Sequence, residues 1–387
     1  MYKIKAALID DGIDSNSNIF GANISYLALQ NGLMIPIEID TTTAMVTHGS
    51  ICSLIFTFYS NKEDYDLYSL KIIEPSRQKT SITNMLVALD WCLDNDIVLV
   101  CMSIGTTQYN DFFEVQQKID ELTSRGVIII AACSNSNNIT FPASAQNVIG
   151  VRCDHMGLLN ENEFLFMDND IANINIISSA IYNQLSSIIG FDIPKGNSFA
   201  APYIASLVCG AIAKGYCSYY QILDYLNNKS VNANQIVDFA YIKSSYRAWN
   251  KDINVPIIAV VSGGNKILGS ICEIFHTMGY YAVGISDHCE NDYFYMLDYR
   301  TFKEQMRISP LEILECINNA HQPDICIICV TDNFFLEELV TQNKIDALVY
   351  MDSSNPTFQN SGILSLKLPA EAAGIVQKII EVFDNEE

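Results

Sequence analysis

Short apolar runs that stop at small or polar residues recur along this chain, alternating with segments of helical periodicity. That alternation is what most constrains its fold. Residues 4–9 are mostly apolar and end at Asp10-Asp11-Gly12, while IVLVCMSIG at 97–105 and VIIIAAC at 127–133 are almost uninterrupted. Runs of this kind suit strands buried on both faces, as in parallel sheets. Between them, residues 82–93 place Met85, Leu86, Leu89, Trp91 and Leu93 mostly on one face, and a helix over 111–125 stops at Gly126. Ile51 to Phe58 reads as a buried helix, and 147–153 as one more short strand. The pattern predicts the α/β class, a mainly parallel sheet flanked by helices. Asp10, Ser103 and Asn135 fall just past strand ends, the edge at which such sheets gather functional loops.

Residues 155–190 are looser and rich in Asn, after which Gly196-Asn197-Ser198 opens the small-residue segment FAAPYIASLVCGAIA, suited to a tightly packed helix. A helix over 218–227 and a polar connection over 229–255 follow, and VPIIAVVSGG then restarts the pattern. Two domains are expected, 1–250 and 251–387. The second has helices near 270–278, 310–319 and 370–383 and strands near 280–285, 324–330 and 346–351. Its Gly-rich stretch SGGNKILGSICEI at 262–274 has the form of a phosphate loop but lacks the lysine directly before Ser or Thr. Without that cation the main β/γ-phosphate contact is lost. The turn is therefore read as degenerate, and the domain as one for packing or for docking a protein partner. An anion on its backbone N–H groups is the alternative.

Charge excludes some partners. With 22 basic against 44 acidic side chains, a formal net of -22, the field repels nucleic acid and anionic membrane surfaces. No uninterrupted apolar stretch reaches the roughly 18 residues of a membrane span, and the N-terminus enters a strand with no secretory apolar region before it. Of the 12 cysteines, Cys101, Cys209, Cys326 and Cys329 sit inside apolar runs, where a free thiol behaves as a small hydrophobe. The Cys326–Cys329 pair has no second pair at metal-site spacing. So many unpaired thiols suit a reducing compartment, and a cytoplasmic location is expected.

The chemistry-bearing segments are ALIDDGID at 7–14, THGS at 47–50, MSIG at 102–105, AACSN at 131–135, FPASAQNVIGV at 141–151 and GNSFAAPYIAS at 196–206. Each alone could be a turn or a helix cap. In this order, over about residues 4–215, they resemble the subtilisin-like (subtilase) family, whose nucleophile segment reads Gly-Thr-Ser-Met-Ala-x-Pro. More weakly, the chain resembles subtilases associated with maturation of ribosomally made peptides. The resemblance implies a serine endopeptidase with Asp10, His48 and Ser198 as catalytic residues and Asn135 as oxyanion donor. In that scheme His48 takes the Ser198 proton, Asp10 fixes the ring, and the Asn135 amide with the Ser198 N–H receives the oxyanion. Of the two adjacent carboxylates the resemblance implies Asp10, directly after Leu8-Ile9, and strand alternation sends Asp11 the other way.

Further implied are substrate contacts along Ser103, Ile104 and Gly105 on one side and Ala132, Cys133, Ser134 and Asn197 on the other. The substrate would be a peptide or exposed segment, such as the leader of a ribosomally made precursor. No cofactor is required for the chemistry, and structural calcium is an open possibility. Ile51 stands where the family often has a second histidine. Ser134 stands for the usual Gly and Asn197 for the usual Thr, and these two departures motivate an alternative, a peptide-binding maturation scaffold with little or no turnover.

Overall fold

The opening apolar run becomes β1 (Ile4–Asp10), buried along nearly its whole length. The computed structural model describes residues 3–38, 46–73, 80–167, 170–231, 253–261, 265–287, 293–300, 309–331, 333–351, 363–368 and 371–384. The chain divides into two units, Met1–Asp238 and Phe239–Glu387.

In the first unit β1 is followed by the hairpin β2 (Ile24–Gln30) and β3 (Leu33–Pro36), then α1 (His48–Tyr59), β4 (Tyr65–Lys71), α2 (Ile82–Asp94) and β5 (Leu99–Met102). Next come α3 (Tyr109–Ser124), β6 (Ile128–Ala132), β7 (Val148–Cys153), β8 (Phe164–Phe166), β9 (Ile176–Ser178) and α4 (Asn183–Ile189), and finally α5 (Asn197–Ala213) and α6 (Tyr219–Lys229). The nine strands form one sheet in the order β3-β2-β4-β1-β5-β6-β7-β9-β8. It is parallel except at its edges, where β2 pairs with β3 and β8 with β9 antiparallel. The expected helix-flanked parallel α/β sheet is thus present.

Register is what assembles the site. Ile9 of β1 lies opposite Met102 of β5, and Met102 lies opposite Ala131 of β6. The residues that follow these three, Asp10, Ser103 and Ala132, therefore come together at the carboxyl edge. The strand expected over 97–105 ends at Met102, so Ser103, Ile104 and Gly105 continue beyond the sheet. There the chain bridges Thr106 to Phe141, and Gly105 is required by the approach: a Cβ would stand 2.6 Å from the Phe141 carbonyl oxygen. Helices α1 and α5 are apolar nearly all round and buried over most of their length, as helices interior to a domain must be. They pack on each other, with α5 also against β5, β6 and β7.

The second unit is a six-stranded, all-parallel sheet, β12-β11-β13-β10-β14-β15, built from β10 (Ile257–Val261), β11 (Ala282–Ser286), β12 (Met296–Asp298), β13 (Ile325–Cys329), β14 (Ala347–Met351) and β15 (Leu364–Leu368). Its helices among the described residues are α7 (Asn265–Thr277), α8 (Pro310–His321), α9 (Asn333–Thr341) and α10 (Ala372–Asp384). Residues 262–264 of the phosphate-loop-like turn lie outside the described residues, and Lys266 sits in the first turn of α7. Every described cysteine is a free thiol, Cys326 and Cys329 being buried in β13. No helix among the described residues is long and apolar enough to cross a membrane.

Candidate active site

The turn after β1 and the start of α1 are stitched together residue by residue. Thr47 caps α1, its hydroxyl accepting from the Ser50 N–H at 3.1 Å and donating to the Gly12 carbonyl at 2.6 Å. Ser50 Oγ accepts from the Asp14 N–H at 2.8 Å. Asp11 takes the two N–H groups at the helix start, Gly49 at 2.7 Å and His48 at 3.2 Å, where the helix dipole favours a carboxylate. Gly12 adopts φ +96°, a left-handed conformation natural to glycine. A Cβ on Gly49 would stand 2.6 Å from the Gly12 carbonyl oxygen. The THGS segment is thus needed as a whole to press His48 against the end of β1. Burial raises the Asp11 carboxyl above its usual range, only partly offset by its hydrogen bonds from Gly49 and His48.

With Asp11 so engaged, Asp10 is the carboxylate on the imidazole. His48 Nδ1 lies 2.9 Å from each Asp10 oxygen, and Asp10 Oδ1 also accepts the Asp11 N–H at 2.8 Å. The Phe199 ring, 4.8 Å away and tilted by 34°, flanks the imidazole. One helical turn beyond His48, Cys52 brings its thiol to 3.8 Å from the same Nδ1. One ligand atom from each of Asp10, His48 and Cys52 lies within 4.8 Å of the others. The Cys52 pKa is pushed up to about 12, first by burial and then by the Asp10 charge. Burial disfavours a charged imidazole, but Cys52 and Asp10 outweigh it and raise His48 to about 11. Since the thiol keeps its proton until about pH 12, near neutrality it is Asp10 that holds the proton on the ring.

Here the serine-endopeptidase expectation is corrected. Among the described residues, no hydrogen bond joins Ser198 Oγ to His48. The third ionisable side chain at the Asp10–His48 pair is Cys52, so the site is an Asp–His–Cys cluster and the serine-protease assignment falls. Ser198, half-buried in the first turn of α5, meets the cluster through its backbone. Pro202 lies four residues on, inside α5, and has no N–H to give the Ser198 carbonyl. That carbonyl accepts instead from the Ser103 hydroxyl at 3.0 Å and from the Cys52 thiol at 3.6 Å. Ser103 Oγ and Cys52 Sγ are themselves 3.6 Å apart.

The other expected site residues divide by burial. Asn135 is exposed, Ser134 half-buried, and Ala132 and Cys133 are buried at the end of β6. Ser103 and Ile104 are half-buried and Gly105 exposed. Asn135 Oδ1 accepts from the Asn197 N–H at 3.4 Å, bringing the loop after β6 to the start of α5. The Asn197 side chain is 0% exposed and turned inward, away from any substrate. Its Oδ1 accepts from the Cys153 N–H at 2.8 Å, and its Nδ2 donates to the Ser134 carbonyl at 2.7 Å and to Cys133 Sγ at 3.2 Å. It ties β6, β7 and α5 together. Cys52 is the residue the sequence reading missed, and its i, i+4 spacing from His48 on a helix was the available signal.

Known proteins resemble the same part of the chain. Residues 2–157 match the family model for the subtilase family. Alkaline elastase YaB of Bacillus sp. (strain YaB) is 27% identical over 179 residues, 45% of this chain and 45% of its own length. M-protease of Shouchella clausii (strain KSM-K16) is 27% identical over 168 residues, 42% of each chain. Subtilisin Savinase of Lederbergia lenta is 26% identical over 172 residues, 43% of this chain and 61% of its own. The match thus spans less than two thirds of each of these relatives. Among solved structures, a lanthipeptide protease aligns with TM-score 0.40 and 15% identity over 60% of this chain and 77% of that one. A cold-adapted subtilisin-like serine proteinase aligns with TM-score 0.43 and 17% identity over 60% and 86%. The similarity to the subtilase family thus lies within the first unit, over residues 2–157.

Proposed function

We propose that this chain is a peptide hydrolase working through Asp10, His48 and Cys52. The observation that carries the reading is the Cys52 thiol, 3.8 Å from the Nδ1 that Asp10 also holds, at the carboxyl edge of a subtilase sheet. In this reading Asp10 orients the ring, and His48 accepts the thiol proton as Sγ bonds to the scissile carbonyl carbon. The tetrahedral intermediate collapses with loss of the amine, which takes its proton from His48, and water then hydrolyses the thioester with His48 as base. The substrate is an extended peptide segment, a precursor's leader among them, lying along Ser103–Gly105, with the exposed Asn135 amide near the scissile carbonyl. Nothing in this scheme calls for a redox cofactor.

The resting geometry sets two demands on the reaction. Cys52 is 0% exposed, so peptide entry must uncover Sγ. Asp10 and Cys52 also face the same ring nitrogen, which carries a proton at rest, so His48 must lose that proton to solvent and Nδ1 must turn from Asp10 before it can take the thiol proton. The test is cleavage of a peptide library combined with active-site labelling. Iodoacetamide should abolish cleavage with peptide protecting, and Cys52→Ala should lose both label and turnover by at least about 10³-fold, the scale on which a reacting group matters. Cleavage that survives in Cys52→Ala and vanishes in Ser198→Ala, with fluorophosphonate labelling, would overturn the thiol reading. A folded protein that neither labels nor cleaves would overturn hydrolysis itself.

A further inference from the structure

We infer that Asp10, His48 and Cys52 form a site for one thiophilic divalent cation, of which Zn2+ is the best match, and that the bound cation shuts the peptide-cleaving centre. The inference deepens the proposed function and rests on it only for the word "shuts"; the binding stands on geometry alone. Zn2+ takes imidazole nitrogen and carboxylate oxygen at about 2.0–2.2 Å and thiolate sulfur at about 2.3 Å in a tetrahedron. Those lengths place nitrogen and oxygen about 3.3 Å apart, and nitrogen and sulfur about 3.6 Å apart. The structure has Nδ1 at 2.9 Å from the Asp10 oxygens and at 3.8 Å from Sγ, with all three donors inside 4.8 Å. For the two pairs that include Nδ1, movements of a few tenths of an ångström meet the requirement.

The donor set also selects the ion. One sulfur, one nitrogen and one oxygen favour Zn2+ and its soft neighbours over Ca2+ and Mg2+, which take oxygen. Three protein ligands leave a fourth tetrahedral position for water or a peptide oxygen, and the Ser103 hydroxyl lies 3.6 Å from Sγ. On binding, the Cys52 thiol and Nδ1 of His48 each give up a proton to solvent while Nε2 keeps its own, so that a thiolate, a neutral imidazole and a carboxylate face the metal. All three groups that cleavage would use are then bound to it. Entry is from the imidazole side, because the His48 side chain is 34% exposed while that of Asp10 is 2% exposed and Cys52 is covered.

Co2+ is the spectroscopic probe. It is added to the full-length chain in a Cys217→Ser background, which removes the thiol that is exposed among the described cysteines. The expected result is one Co2+ per chain, with a sulfur-to-metal charge-transfer band in the near ultraviolet, tetrahedral d–d bands in the visible, and displacement of both by Zn2+. Cys52→Ala should remove the charge-transfer band and weaken binding by more than about tenfold, since even outer-shell changes cost about 10–100-fold. Asp10→Asn should weaken it in the same direction, and Ser198→Ala should leave it unchanged. A spectrum that persists in Cys52→Ala, or no spectrum in a protein shown to be folded by circular dichroism, overturns the site. Binding without loss of peptide cleavage overturns the shut-off but leaves the site. Neither outcome touches the iodoacetamide test, so failure of this inference and failure of the hydrolase reading are told apart.

Discussion

Replacing Asn197 by alanine should unfold the first unit far more easily than the loss of one small polar side chain suggests. The side chain is fully buried and bridges three segments, and two of its partners are backbone groups with strong geometry: the Cys153 N–H at 2.8 Å and the Ser134 carbonyl at 2.7 Å. Alanine strands both. A buried polar group left without its partner costs about 1–3 kcal/mol, so the two together cost about 2–6 kcal/mol, against the roughly 5–15 kcal/mol that holds a domain folded. Equilibrium unfolding in urea measures it. Trp91 lies in α2 of the first unit and Trp249 is the second of two tryptophans, so a Trp249→Phe background lets fluorescence report on that unit alone. With a slope of about 2 kcal/mol per molar urea, the midpoint should fall by about 1–3 M. Asn197→Asp sharpens the test: it keeps the acceptor for Cys153 but sets a second acceptor against the Ser134 oxygen. Its deficit should shrink as acid protonates the new carboxyl and restores a donor. A loss below about 0.5 kcal/mol in Asn197→Ala, the range of ordinary surface changes, would refute the view of this residue as an internal strut.

Gly49→Ala should fail to seat α1, because its Cβ would meet the Gly12 carbonyl oxygen at 2.6 Å; overpacking typically costs about 1–3 kcal/mol, and urea unfolding reads it. In Asp10→Asn the imidazole should titrate well below the value of about 11 that His48 has in the intact site, followed by proton NMR of the ring. A raised His48 pKa contributes stability fully below the unfolded value of about 6.5, lost as pH climbs through about 11, so the same variant should flatten stability between those limits. Asp11, raised by burial, stabilises most below its unfolded pKa and loses that contribution as pH rises through the folded one. Asp11→Asn should therefore remove part of the decline seen on leaving acid, a change checked by melting temperatures from about pH 3 to 7.

How much of this was legible in the sequence follows from what each signal depends on. Continuous apolar runs depend on burial alone, and they placed β1, β5, β6, β7, β10 and β13 within a few residues. The β2–β3 hairpin went unread although Asn31-Gly32 announces it: both residues take positive φ, 51° and 77°, which is the two-residue turn that this dipeptide favours. Its strands face partly outward, although β3 is apolar throughout. The last two strands at one end of the sheet, β9 and β8, of three residues each, are too short to carry a period. The loop ends at Asp10 and Ser103 were found because strand ends are visible in sequence, but their coming together at one edge is a property of sheet register, which is not.

Cys52 shows the limit more sharply. A cysteine inside an apolar run reads as a small hydrophobe, a rule that fits Cys101, Cys209, Cys326 and Cys329, all buried free thiols. By composition Cys52 belongs with them, since it sits among Ile51, Ser53, Leu54 and Ile55. What separates it is position: four residues after His48 on a helix whose start is fixed by Thr47 and Asp11, it must lie on the imidazole's side of α1. Ser198 illustrates the converse. Its segment is conspicuous in sequence, yet Pro202 withholds the N–H that would have satisfied the Ser198 carbonyl inside the helix, and that carbonyl turns to Ser103 and Cys52 instead. The proline thereby draws the thiol, the hydroxyl and the start of α5 into one cluster around His48. Pro202→Ala supplies the missing N–H, so it should free Ser103 Oγ and Cys52 Sγ from that carbonyl. The expected consequence is faster alkylation of Cys52 by iodoacetamide with α5 still folded, and an unchanged rate would show that the carbonyl does not hold the thiol in place.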